Sequence, residues 1–128
     1  MPSYDAIRFA PPAPVAHVTL RDPNGGSTRT DVPMLLDTGA DVSLVPKRLA
    51  TELNVESGRQ YELLDFEGRS TLSTAVHLEM NLIGYTFRGQ FLLIEQEYGV
   101  VGRNVLNSLP LLLNGPRLVW EHFLATSV

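Results

Sequence analysis

The sequence contains no cysteine, which excludes a disulfide framework, a thiolate metal site and a cysteine nucleophile and leaves the redox compartment open. No apolar run approaches the length of a membrane span, because Asp, Glu, Gly or Pro interrupts each within a few positions, and the N-terminus has no basic stretch followed by an apolar one. The expectation is a soluble, cytoplasmic chain with no membrane partner. Lysine and arginine form no cluster and the net charge is -4, which argues against nucleic acid as a partner. His17, His77 and His122 have no metal-like spacing with one another or with paired carboxylates, so no metal and no cofactor are expected. Ser43 has no context for a nucleophile elbow, and Gly25-Gly26-Ser27-Thr28 lacks the lysine and following helix of a phosphate loop.

What the chain does have is enough apolar material for one core: 128 residues, of which 44% are hydrophobic and 19% charged, suit a single compact domain. Its distinctive stretch is Met34-Leu35-Leu36-Asp37-Thr38-Gly39-Ala40-Asp41-Val42-Ser43-Leu44-Val45-Pro46. Val32, Met34 and Leu36 alternate on one face of a strand and Leu35 adds apolar surface on the other, so a carboxylate closes a substantially buried strand. Thr38 supplies a hydroxyl, and Gly39 removes a β-carbon so that another backbone can approach the acid. Asp-Thr-Gly alone is also common turn chemistry; the flanking residues carry the argument further.

With those flanks, apolar-apolar-Asp-Thr-Gly-Ala-Asp followed by Val-Ser-Leu-Val-Pro resembles the active-site segment of retropepsin-like aspartic proteases. Val100-Val101-Gly102-Arg103-Asn104-Val105-Leu106 resembles that family's second motif, an apolar pair followed by Gly-Arg-Asp or Gly-Arg-Asn and a helix. The resemblance covers residues 15–120. It implies an all-β, closed-barrel acid-protease fold with one short C-terminal helix and an active site on a homodimer two-fold. It also implies roles. Asp37 is the catalytic residue, with Thr38, Gly39 and Ala40 supporting its loop; Gly39 and Asp41 contact substrate, as do Glu67 and Gly68 from a flap; and Arg103 pairs with Asp41 in a buried ion pair.

In chain order, residues 1–14 read as a Pro-rich arm in which Pro11, Pro12 and Pro14 forbid regular structure, and residues 15–128 as the protease domain. Val15–Leu20 and Thr30–Leu36 form a hairpin around Asp22-Pro23-Asn24-Gly25-Gly26. Pro46 suits the first position of a short helix with Leu49 and Leu53 on its apolar face. Residues 61–73 read as two strands with a tip near Glu67-Gly68, the family's flap or, on the residues alone, an ordinary exposed hairpin. Val76, Leu78, Met80 and Leu82 alternate along a half-buried strand that turns near Gly84 and continues to Ile94. Val105, Leu106 and Leu109 mark a helix that Pro110 stops, and Asn114-Gly115-Pro116 joins two final strands.

Peptide hydrolysis by carboxylates needs one ionised group to activate water and one protonated group to polarise and protonate the amide. The chain has a single Asp-Thr-Gly, so the second Asp37 must come from a second copy across an isologous interface. The expected function is therefore an aspartic endopeptidase acting on peptide or protein substrates as a homodimer. The alternative is a non-catalytic peptide-binding or dimerisation module that retains the fold.

Overall fold

The computed structural model describes residues 2–55, 57–65 and 67–123; Phe66 of the expected flap, and the ends of the expected arm and domain at Met1 and residues 124–128, lie outside them. In chain order the elements are β1 (Tyr4–Asp5), β2 (Ala13–Arg21), β3 (Thr28–Leu36), β4 (Leu44–Pro46), α1 (Lys47–Leu53), β5 (Ser57–Leu64), β6 (Ser70–Leu82), β7 (Tyr85–Ile94), β8 (Gly99–Val101), α2 (Arg103–Leu106), β9 (Leu111–Asn114) and β10 (Val119–His122). Eight strands form one sheet in the order β1-β2-β3-β8-β4-β7-β6-β5, β2 also pairs with β6, and β9 and β10 form a separate ribbon.

Turn chemistry accounts for the hairpins. Between β2 and β3 the Asp22 carboxylate accepts from Asn24 N at 3.0 Å, and Gly25 takes a φ of 82° that few other residues tolerate. Between β6 and β7, Ile83 and Gly84 have φ of 44° and 86°, the paired positive angles that match the twist of antiparallel strands joined by two residues. The alternation expected along β6 is present: Val76, Leu78, Met80 and Leu82 are buried while His77 and Asn81 are exposed. One departure is that β6 is a single 13-residue strand, so the second arm of the expected flap and the core strand are one continuous element. Its outer part pairs only with β5, and its inner part also pairs with β7.

Two further departures concern the termini and helices. The arm expected to be irregular contains β1, in which Tyr4 and Asp5 pair with Pro14 and Ala13, and Trp120 N donates to the Pro2 carbonyl at 3.1 Å. Proline is accommodated because Pro11 and Pro12 occupy the connection between β1 and β2, while Pro14 precedes the first residue of β2 paired with β3, Val15. The short helix expected over Leu49 and Leu53 is present as α1. α1 is the longer at seven residues, and the α2 expected from the resemblance spans only four before turning toward Pro110. Pro46 is the extended N-cap of α1 rather than its first helical residue, and left-handed Asn54 ends the helix so that Val55 N closes on the Ala50 carbonyl at 3.2 Å.

One core joins these elements. Leu49, Ala50 and Leu53 of α1 pack with Val18, Leu20, Met34, Leu78 and Met80 from the strands, and Trp120 closes one end with its indole N–H on the Val15 carbonyl at 3.0 Å. No helix among the described residues is long and apolar enough to cross a membrane.

Register also builds an ion-pair bridge across three strands. Glu79 lies opposite Arg21 of β2 and Arg88 of β7 and accepts from them at 2.7 Å and 2.6 Å. The Arg88 hydrogen bond, outweighing partial desolvation and aided by the Arg21 charge, holds the Glu79 carboxyl below its ordinary value. A depressed carboxylate pKa contributes stability that is present above the unfolded-state value and lost as pH falls through the folded-state value. Glu79→Gln is expected to lower the urea midpoint relative to wild type at neutral pH, with the difference shrinking as acid protonates Glu79 and pH falls through its lowered folded-state value. A pH-independent difference would contradict the ion-pair account.

Candidate active site

Asp37 directly follows β3, whose buried Val32, Met34 and Leu36 hold the strand against the core. β3 runs parallel to β8 with Leu36 beside Val101, and Asp37 N donates to the Val101 carbonyl at 3.0 Å. The ladder therefore ends on the candidate acid. Beyond it the chain turns sharply. Gly39 N donates to Asp37 Oδ1 at 2.8 Å and Ala40 N to the Asp37 carbonyl at 3.2 Å. A β-carbon on Gly39 would stand 3.1 Å from the same Oδ1, so glycine keeps the carboxylate uncrowded. Asp37 is half-buried, and Thr38, Gly39 and Asp41 are exposed: one carboxylate oxygen is positioned by the loop while the loop's outer face is open.

The second motif is stitched directly to this loop. Gly102 follows β8 and lies so close to the loop that a β-carbon there would collide with the Val42 carbonyl and stand 2.9 Å from the Ala40 carbonyl. Arg103 N donates to the Ala40 carbonyl at 2.7 Å. Ser43, only 1% exposed, accepts from Gly102 N at 3.0 Å and donates to Asn104 Oδ1 at 2.8 Å. The hydroxyl dismissed as a nucleophile is thus a buried clasp, and Asn104 is its partner. Sequence reasoning missed this pair. The signal available was a hydroxyl in an otherwise apolar stretch and an amide immediately after Gly-Arg.

Arg103 does not form the expected ion pair with Asp41. Its guanidinium instead donates to the Thr38 carbonyl at 2.7 Å, and both Arg103 and Asp41 are exposed. The reason is local: Arg103 opens α2 at the edge of the loop, where a peptide carbonyl is within reach and solvent covers the carboxylate.

Thr38, Gly39, Ala40 and Arg103 are therefore gathered around Asp37, whereas Glu67 and Gly68 stand at the tip of the β5–β6 hairpin with no hydrogen bond to the Asp37 loop among the described residues. A cleft of about 520 Å³ lies between that hairpin and the end of β7, lined by Leu63, Leu64, Leu72, Leu93 and Ile94 with Lys47 and Glu95, and Asp37 is not among its walls. The histidines are dispersed. His17 lies 3.7 Å from Asp31, and His122 Nε2 is 3.0 Å from the Tyr85 hydroxyl. No group of three potential metal ligands occurs among the described residues.

No family model matches the sequence, and no curated protein matches it. Among solved structures, the chain is similar to the EIAV protease complexed with the inhibitor HBY-793, with a TM-score of 0.57 and 22% identity over 75% of this chain and 86% of that one. The likeness is one of fold.

The clasp and the arginine make separable contributions. Ser43→Ala leaves the buried Gly102 N–H without an acceptor and is expected to cost about 1–3 kcal/mol. Arg103→Lys changes an exposed side chain and is expected to cost under about 1 kcal/mol. Urea denaturation of the two variants checks the order; a larger loss for Arg103→Lys would restore the buried ion pair expected from the resemblance.

Proposed function

We propose that the chain is an aspartic endopeptidase that hydrolyses peptide bonds with water activated between two Asp37 carboxylates, one from each subunit of a homodimer. The observation that carries this reading is the placement of Asp37: a half-buried carboxylate at the end of a core strand, fixed by the Val101 carbonyl at its backbone and the Gly39 N–H at its side chain, in a fold like that of a retroviral protease. The ring of pairings from β2 through β3, β8, β4, β7 and β6 back to β2 is read as the closed barrel of that fold.

The chemistry requires the second copy. One Asp37, ionised, takes a proton from water as the oxygen attacks the amide carbon; its partner, protonated, polarises the carbonyl and supplies a proton toward the leaving nitrogen. The exposed surface supports association. Leu112, Leu113, Leu118 and Phe123 are 42%, 47%, 44% and 51% exposed on or beside the β9–β10 ribbon, an apolar patch that a second copy would cover. The ribbon lies on the Asp37 side of the fold: Trp120 bonds the Val15 carbonyl, and Val15 pairs with Leu35, two residues before Asp37. A peptide bound there would find the Gly39 carbonyl and Asp41 at the loop and Glu67 and Gly68 at the hairpin tip.

Asp37→Asn tests the assignment because an asparagine Oδ1 can still accept from Gly39 N. Digestion of a peptide library should be lost by roughly 10³-fold or more, with the urea midpoint at or above that of wild type once any repulsion between paired carboxylates is removed. Comparable cleavage by both proteins would remove Asp37 as the catalyst. A wild type that cleaves nothing would favour the non-catalytic module.

A further inference from the structure

The β5–β6 hairpin has an unusual support problem. β6 pairs with β7 only from Ala75 onward, so residues 60–64 and 70–74 have β5–β6 pairing alone. An isolated two-stranded hairpin is marginal in water. Near its base, Ser73 Oγ donates to the Leu93 carbonyl at 2.6 Å and the Tyr61 hydroxyl to Gln90 Oε1 at 3.3 Å. At the tip, a single carboxylate gathers the turn. Asp65 Oδ1 accepts from Glu67 N and Arg69 N, both at 2.9 Å, and Oδ2 accepts from Arg69 Nε at 3.0 Å. The main chain closes around it, with Asp65 N on the Arg69 carbonyl at 3.0 Å and Gly68 N on the Asp65 carbonyl at 3.1 Å. The Arg69 guanidinium also reaches Glu67 Oε2 at 2.9 Å, so its charge is spent within the tip.

We infer that Asp65 is a positioning residue for substrate: it forms the hairpin tip before any peptide arrives and holds Leu64 and Leu72, 69% and 68% exposed, at the mouth of the 520 Å³ cleft that Asp65 and Arg69 also line. This rests on the proteolytic reading above. A tip already folded in the free protein spares a bound peptide the entropy of ordering it, which strengthens ground-state and transition-state binding alike and so lowers KM without raising kcat. The two bonds to Oδ1 carry the effect. The pair with Arg69 is exposed, the two side chains being 74% and 46% accessible, and such pairs contribute little.

The test uses Asp65→Ala and Asp65→Asn, the second of which keeps an Oδ1 acceptor for both backbone N–H groups. In the free protein, amide hydrogen exchange at Glu67 and Arg69 should accelerate roughly 10-fold in Asp65→Ala, with exchange at Leu78 and Met80 unchanged. KM for a cleaved peptide should rise roughly 3- to 10-fold in the same variant with kcat within about 2-fold, and Asp65→Asn should stay within about 2-fold of wild type in both readouts. Unchanged exchange in Asp65→Ala overturns the inference. So does faster exchange with an unchanged KM, and so does an Asp65→Asn variant as impaired as the alanine. A wild type that cleaves no peptide refutes the proteolytic reading and the substrate role with it; exchange, read without substrate, distinguishes that result from failure of the brace.

Discussion

Everything at the candidate site depends on how closely two chain segments approach at Gly102. The absence of a side chain there lets the Asp37 loop pass its Val42 and Ala40 carbonyls against the backbone leaving β8, and the buried Ser43 hydroxyl then satisfies the Gly102 N–H that this approach would strand. From that contact the rest follows. β8 lies parallel to β3 and ends the ladder at Asp37, α2 starts where Arg103 can reach the Thr38 carbonyl, and Asn104 faces Ser43. A carboxylate at the end of a buried strand would be poorly placed if its loop were free to relax toward solvent. Here the loop is held by main-chain bonds on one side and a buried hydroxyl on the other, and only its outer face stays open.

The two faces of the molecule differ in how they are stabilised. Around β2, β3, β6 and β7 the strands bury a continuous core and cross-link their outer face through Glu79. The β5–β6 hairpin has almost no core beneath its tip and relies on local hydrogen bonds at Asp65 and a few anchors at its base. Regions with few buried contacts open at low free energy. The order of the hairpin thus rests on local bonds, while the Asp37 loop is tied to β8 and α2.

Much of this was legible in the residues. The alternation of Val76, Leu78, Met80 and Leu82, the Asn-Gly turns, and the apolar approach to Asp37 each carry a local physical signal, and the strands and hairpins follow them. What escaped has a common cause. Tyr4 and Asp5 have no periodic pattern and become a strand only because Pro14, Ala13 and the last ribbon lie beside them. The Ser43–Asn104 bond spans 61 positions, and nothing in either neighbourhood names the other. Arg103 and Asp41 were linked by resemblance, yet the choice between a carboxylate and the Thr38 carbonyl was made by where α2 begins. Asp65 was hidden because an aspartate before a glycine turn is ordinary composition, and only the geometry shows how many donors converge on it.

A single Asp-Thr-Gly per chain is what makes the proposed chemistry a claim about assembly. Mixing a fixed amount of wild type with increasing Asp37→Asn protein, after conditions that allow subunits to exchange, tests it most directly. If each site takes one Asp37 from each chain, mixed dimers hold an incomplete pair, and activity on the cleaved peptide falls with the fraction of wild-type subunits that still meet a wild-type partner. Activity that stays constant however much Asp37→Asn protein is added would show that a single chain carries the whole site.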